Sequence, residues 1–387
     1  MLKRLLFVTA PSVVVALLLA AVGLEAWVRV RWDEKRGTPG LFVSDPVRGE
    51  KLAADYTGWF AGVPVRLNQL GFRDPREYAI AKAPATFRIL VLGDSVTFGH
   101  GSVYEHTWPF LFEQRLKAWR PDVAWQVWNL GVPGYNTSQE LAYLLEVGPS
   151  FKPDLVIVGF YGNDYVDNRP VTAATRAAVW SGEAKNVFRR HLYSLDWYRK
   201  QYAQARYQMF ASASERTLIE GLATQERLLS QPGVVAELDA QHLTHPRPMT
   251  DEEMLQNRCT GPPFGFSAAV FEQTPGLVAW KETVRALQRL HHDGTYRITF
   301  FVNAAPGVCQ KQDVFDNSGT KGQDDYVLSI LRRETPAVSS HDAFMRYRPS
   351  MMPGANGHSI GTSNDVKAEA LFAFMRDRVL TPLPVSR

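Results

Sequence analysis

Hydrophobic and polar positions along the chain change character several times. Leu5 to Leu24 is a run of twenty uncharged residues, preceded by Lys3 and Arg4 and followed by Glu25, Arg29, Arg31, Lys35 and Arg36. At about 1.5 Å rise per residue such a run matches a hydrocarbon layer of ~30 Å, so residues 1–30 read as a membrane anchor. A cleaved signal peptide also fits the basic start and the small residues Ala20, Ala21 and Gly23. A buried helix is the third reading. Charge on both flanks leaves the positive-inside count weak. Residues 37–80 fall into short pieces punctuated by Gly and Pro, which predicts a small β-rich lead-in with turns.

A regular alternation follows. Phe87-Arg-Ile-Leu-Val-Leu predicts a buried strand ending at Gly93, Trp108 to Trp119 a helix, and Val123 to Trp128 a second strand. Thr137 is placed as the cap of the next helix with Glu140 as its capping-box partner, and Asp154 to Phe160 predicts a third strand. Strand and helix alternating at this spacing imply an α/β fold, a three-layer α/β/α sandwich on a mainly parallel sheet. Ligands in such sheets collect at the carboxyl ends of the strands.

Over 169–271 the alternation is lost. The pattern predicts a helical insertion or cap with helices over Val187 to Ser212 and Arg216 to Leu238, too long for a bare loop. Its aromatic residues serve either as helix core or as the lining of a groove. The alternation resumes with a helix over Leu277 to Leu290, a strand at Tyr296 to Asn303, a helix over Asp324 to Arg333, a short strand at Ala337, and a last helix capped by Ser363 and running to Met375. The catalytic body is therefore expected over 85–168 and 272–380.

Composition narrows the picture modestly. In 387 residues, 43 basic and 39 acidic side chains leave a formal charge of +4 without a basic stripe, so no nucleic-acid footprint is expected. Cys259 and Cys309 are the only cysteines; one disulfide in an exported body and two separate thiols both remain open. No metal site and no cofactor are expected: two thiols without a His pattern make a poor zinc site, and Asp94, Asp154 and Asp164 lack a recognisable Mg or Ca spacing.

The candidate chemistry sits at three predicted strand ends. Gly93-Asp94-Ser95 follows the first, Asn129-Leu-Gly131-Val-Pro133-Gly134 the second, and Gly162-Asn163-Asp164 the third. Each alone fits a turn or a helix cap. Together they supply a hydroxyl nucleophile and three hydrogen-bond donors for a tetrahedral oxyanion: the N–H groups of Ser95 and Gly134 and the side chain of Asn163.

In these blocks the chain resembles the SGNH (GDSL-type) hydrolases, over roughly 85–165 and 295–378. The resemblance implies a flavodoxin-like three-layer fold, ester hydrolysis, Ser95 as nucleophile, Gly134 and Asn163 as oxyanion donors, and His358 of Gly357-His358-Ser359 as the base. Activity would then fall below about pH 6.5, where an ordinary imidazole is protonated. The family's acid belongs three residues before that histidine, where this chain has Ala355. An introduced Asp-to-Ala change, a native Ser-His dyad, and loss of hydrolysis with retained binding are the three explanations. Asp342 and Asp365 are not promoted to the vacant role, and His100, His291, His292 and His341 are taken as surface or structural. The expected substrate is a short O-acyl ester, such as O-acetyl, on an envelope or exported carbohydrate, met by a periplasmic body tethered to a bacterial inner membrane through residues 5–24. A secreted or periplasmic protein freed by signal cleavage is the other location. A lipid esterase or thioesterase, an acyltransferase, and a noncatalytic envelope ligand-binding protein are the alternatives.

Overall fold

The computed structural model describes residues 9–166, 168, 171, 176–210, 235, 239, 247–256, 259, 266–304, 306–309, 312–316, 320–355 and 358–381. Helix α1 (Ala10–Arg31) is 22 residues long and apolar enough to cross a membrane. Of its residues only Val28 is buried, so the buried-helix reading does not hold. Two antiparallel hairpins follow, β1 (Phe42–Asp45) with β2 (Gly49–Leu52) and β3 (Thr57–Phe60) with β4 (Val63–Arg66).

The centre is a five-stranded parallel sheet made of β5 (Thr86–Gly93), β6 (Ala124–Gly131), β7 (Leu155–Phe160), β8 (Ile298–Val302) and β11 (Ala337–Ser339), in the spatial order β11-β8-β7-β5-β6. The two-residue strands β9 (Gly307–Val308) and β10 (Phe315–Asp316) form a separate ribbon. Within β5, Ile89 and Val91 face one core cluster while Leu90 and Leu92 face the other, and all four are fully buried. Continuous burial on both faces is what a parallel sheet between helices demands. One face is covered by α3 (Trp108–Trp119) and α10 (Thr362–Phe374), through Trp108, Phe112, Leu116 and Leu371. The other is covered by α4 (Thr137–Phe151) and α8 (Pro275–His292), through Leu144, Phe151, Trp280, Val284 and Leu287.

The register decides where the chemistry goes. Gly93 at the end of β5 pairs with Gly131 of β6 on one side and with Gly159 of β7 on the other. The three strand ends therefore lie level. The chain order reverses between β5 and β7, and doubly wound sheets open a crevice at such a switch point.

Several expected boundaries are corrected. The cap of α4 is Asn136, not Thr137: its side chain accepts from Ser138 N (3.1 Å) and Gln139 N (3.2 Å), while Gln139 returns a bond to Asn136 N (3.1 Å). The last helix starts at Thr362 after Gly361, and Ser363 lies inside it, donating its hydroxyl to the Pro353 carbonyl at 2.7 Å. The helix expected over Val187 to Ser212 is two, α6 (Arg176–His191) and α7 (Tyr193–Phe210). The break has a tertiary cause. Glu25 of α1 accepts the N–H groups of Tyr193 (3.1 Å) and Ser194 (2.9 Å), the orphan donors of a new helix start. The helix expected over 216–238 lies, apart from Val235, outside the described residues.

Cys259 and Cys309 are joined by a disulfide, which settles the open choice between a bridge and two thiols. It ties Cys259 to the residue that follows β9, across a separation of 50 residues. The chain-entropy effect of closing such a loop is up to about 4 kcal/mol. Reduction under native conditions should lower the urea midpoint accordingly, and an unchanged midpoint after complete reduction would show that the bridge contributes nothing.

Candidate active site

Glycine starts the site. Gly93 has φ +154°, and a Cβ there would lie 2.1 Å from Thr97 Oγ1, so only glycine lets β5 turn directly into α2 (Ser95–Phe98). Asp94 caps that short helix by accepting Val96 N–H at 2.8 Å, which leaves Ser95 as its first residue, half-buried at the switch point. Gly99 N–H and His100 N–H both bond back to the Ser95 carbonyl at 3.0 Å. Residues 95–100 thus form a closed turn.

The other wall comes from the far end of the chain. Beyond β11, Gly354–Ala355 (β12) and His358–Ser359 (β13) form a hairpin in which Ala355 stands opposite His358. The hairpin delivers His358 Nε2 to 2.7 Å from Ser95 Oγ across 263 residues of sequence. A weaker contact at 3.4 Å joins Ser95 Oγ to Asp94 Oδ2. Gly134 follows β6 with φ +86°, a left-handed conformation that favours glycine, and is solvent-exposed. Asn163 opens α5 (Asn163–Val166) beyond β7; its side chain lies outside the described set. Because β6 and β7 flank β5, the two expected oxyanion donors come from either side of the Ser95 strand. Asp365 pairs with Arg115 at 2.6 Å, and the exposed Asp342 pairs with Lys321 at 3.4 Å, so each has a partner elsewhere. Among the described residues no group of His, Cys, Asp and Glu is arranged to hold a metal ion.

Residues 91–248 match the GDSL-like Lipase/Acylhydrolase family. A Vibrio mimicus arylesterase is 26% identical over 145 residues, covering 36% of this chain and 72% of that protein. The chain carries a GDSL-like lipase/acylhydrolase domain. Among solved structures, Axe2, an acetylxylan esterase from Geobacillus stearothermophilus, aligns with TM-score 0.38 at 14% identity over 75% of this chain and 94% of that one. LAE5, an α/β hydrolase enzyme from the metagenome of Lake Arreo, Spain, aligns with TM-score 0.37 at 14% identity over 76% and 96%. Superpositions this loose add nothing to the family match.

Two residues of this GDSL-like domain's surroundings were not anticipated. His100 is neither a surface nor a remote structural histidine: its ring is stacked on that of His358, with centroids 4.1 Å apart and planes at 17°. Its place just after the nucleophile block was the one available hint. Asp239 is fully buried and accepts the N–H groups of Val103 (3.0 Å) and Gly361 (2.8 Å), with His106 Nδ1 at 2.7 Å. It ties the loop after Ser95 to the loop after His358. No motif around it signalled this. His291, by contrast, is structural: Ile298 N–H donates to its Nδ1 at 2.9 Å.

Around Asp94, next to Ser95, lies a buried cluster of ionisable groups. Burial, with repulsion from Asp94, pushes Glu140 well above the ordinary carboxylate range, and burial with repulsion from Glu140 and Asp94 does the same to Asp164. Burial pushes Lys367 down to about 7 against the pull of Asp94. For Glu140 the folded state binds the proton more tightly than the unfolded chain does. Its contribution is fully present below the unfolded value of 4.5 and is lost as pH rises through the folded one. Glu140→Gln mimics the protonated form, so its gain in melting temperature over the parent should be absent near pH 4 and should grow towards pH 8. A difference independent of pH would show that Glu140 ionises as an ordinary carboxylate.

Proposed function

We propose that the chain is a serine ester hydrolase in which Ser95 is the nucleophile and His358 its base. The observation that carries this reading is the 2.7 Å contact between Ser95 Oγ and His358 Nε2 at the switch point of the sheet. A hydroxyl at that distance from a neutral imidazole can pass its proton to Nε2 as Oγ attacks the ester carbonyl. The carbonyl oxygen becomes an oxyanion, received by the N–H groups of Ser95 and Gly134 and by the Asn163 side chain. Collapse expels the alcohol, which takes the proton back from His358. Water activated by the same imidazole then hydrolyses the acyl-enzyme and restores Ser95.

We place the catalytic domain at 85–168 and 272–380, with 169–271 as an insertion beside it. The apolar α1 supports export and tethering, and the Cys259–Cys309 bridge fits an oxidising compartment. A body facing the periplasm meets acylated carbohydrate, so the substrate we assign is a short O-acyl ester on an envelope or exported glycan. A lipid ester is the second reading, favoured by the exposed Trp180, Phe188, Tyr198 and Tyr202 on α6 and α7 next to α1.

The test is hydrolysis of p-nitrophenyl esters by the intact protein. Ser95→Ala and His358→Ala should each lower kcat by ~10³-fold or more while the melting temperature holds; parent-like turnover in Ser95→Ala would sink the assignment. Activity lost beyond about four acyl carbons supports the glycan ester, and activity rising to eight or more supports the lipid. Ala355→Asp completes the set. A gain of orders of magnitude identifies a disabled triad, an unchanged Ser95-dependent rate a working dyad, and no turnover in any form the binding reading.

A further inference from the structure

We propose that His100 is a positioning residue for the base, a flat platform that holds the plane of the His358 ring as it takes the Ser95 proton. The proposal rests on the roles given above to Ser95 and His358. Its first support is geometric. The 2.7 Å contact to Ser95 Oγ sets the distance between the two reacting atoms. A second ring lying parallel, centroid to centroid at 4.1 Å and tilted by only 17°, restricts the plane of the His358 ring. The Nε2 lone pair then stays in line with the hydroxyl, which is what proton transfer requires.

The platform is itself held. His100 N–H donates to the Ser95 carbonyl at 3.0 Å, so nucleophile and platform ride on one turn. Phe60 of β3 meets the His100 ring edge-on, with centroids 5.1 Å apart and planes at 78°. Beneath the turn, the buried Arg73 guanidinium donates to the carbonyls of Phe98 (3.0 Å), Gly99 (2.6 Å) and Ser102. The lead-in hairpin and the Arg73 segment, both outside the matched family region, thus brace a ring of the nucleophile loop.

The second support is charge. When His358 accepts the serine proton it becomes a cation, and the face of an uncharged aromatic ring attracts a cation whereas a charged imidazole would repel it. Burial, with His358 and Arg73 adding to it, holds His100 down at about 3, so it is neutral at any working pH. Its Nδ1 is buried with no hydrogen-bond partner among the described residues, as suits a ring used for its face.

The experiment compares the full-length parent with His100→Ala and His100→Phe, using Ser95→Ala as the zero. It reads kcat and KM for p-nitrophenyl acetate, the rate of Ser95 labelling by a fluorophosphonate, and the melting temperature. We expect His100→Ala to lower kcat and the labelling rate together by about tenfold or more with KM within about twofold, and His100→Phe, which keeps a flat face, to recover most of the loss. Parent-like kcat in His100→Ala overturns the proposal, as does a His100→Phe variant that melts like the parent but is as slow as His100→Ala. Should His100→Ala fail to fold, a His100→Phe variant that melts like the parent but has kcat lowered by about tenfold or more overturns the proposal, and one within about threefold of the parent supports it. A parent whose turnover does not depend on Ser95 fails the hydrolase reading, a result distinct from any change at His100.

Discussion

The structure depends on the register of one parallel sheet. Gly93, Gly131 and Gly159 stand side by side because β6 and β7 pair with β5 without offset at their carboxyl ends. A slip of one residue would turn every side chain of the slipped strand to the opposite face. The burial of Ile89 and Val91 on one side and of Leu90 and Leu92 on the other forbids that slip. The hydrophobic core therefore positions the site. Packing against α3, α4, α8 and α10 holds the strands, and the strands hold level the turns on which Ser95, Gly134 and Asn163 sit.

A second set of constraints is polar and buried. Arg73 bonds carbonyls of the turn that follows Ser95, Asn129 donates to the Thr97 carbonyl at 2.9 Å, and Asn364 of α10 donates to Ser102 Oγ at 2.9 Å. Asp239 then links Val103 to Gly361. Each contact joins segments far apart in the chain, and each satisfies a group that would be costly to bury alone. They connect the Arg73 segment, the loop after Ser95, Asp239 and the loop after His358, so the Ser95–His358 contact is supported from four parts of the sequence. The carboxyls of Asp94, Glu140 and Asp164 work against this: burying like charges beside Ser95 costs stability, and raised pKa values at Glu140 and Asp164 are how the chain relieves it.

Much of this was legible before any coordinates. Strands at Phe87, Val123, Asp154 and Tyr296 announce themselves by short, mainly apolar segments bounded by turn residues, and the Trp108 to Trp119 and Leu277 to Leu290 helices by their periodicity, because burial on two faces or on one stripe writes a distinct spacing into the residues. The Gly-Asp-Ser, Gly-x-x-Gly and Gly-Asn-Asp turns are equally visible, since tight strand ends tolerate few residue types. Boundaries were less secure. Asn136 and Thr137 are both competent caps, and only the return bond from Gln139 chooses between them.

By itself, then, the sequence determined the α/β class, the strand ends that carry the chemistry, the apolar N-terminal helix, and the identity of the residues from which a serine hydrolase could be built. The tertiary structure decided which of them meet. It brought His358 to Ser95, laid His100 flat against His358, placed Asp239 between two loops, and joined Cys259 to Cys309. The reason is physical: periodicity and turn chemistry are local and are read over a few residues, whereas these contacts span from 50 to 263 positions and exist only once the sheet has closed. Glu25 ending one helix and starting another from 168 residues away is the same lesson on a smaller scale.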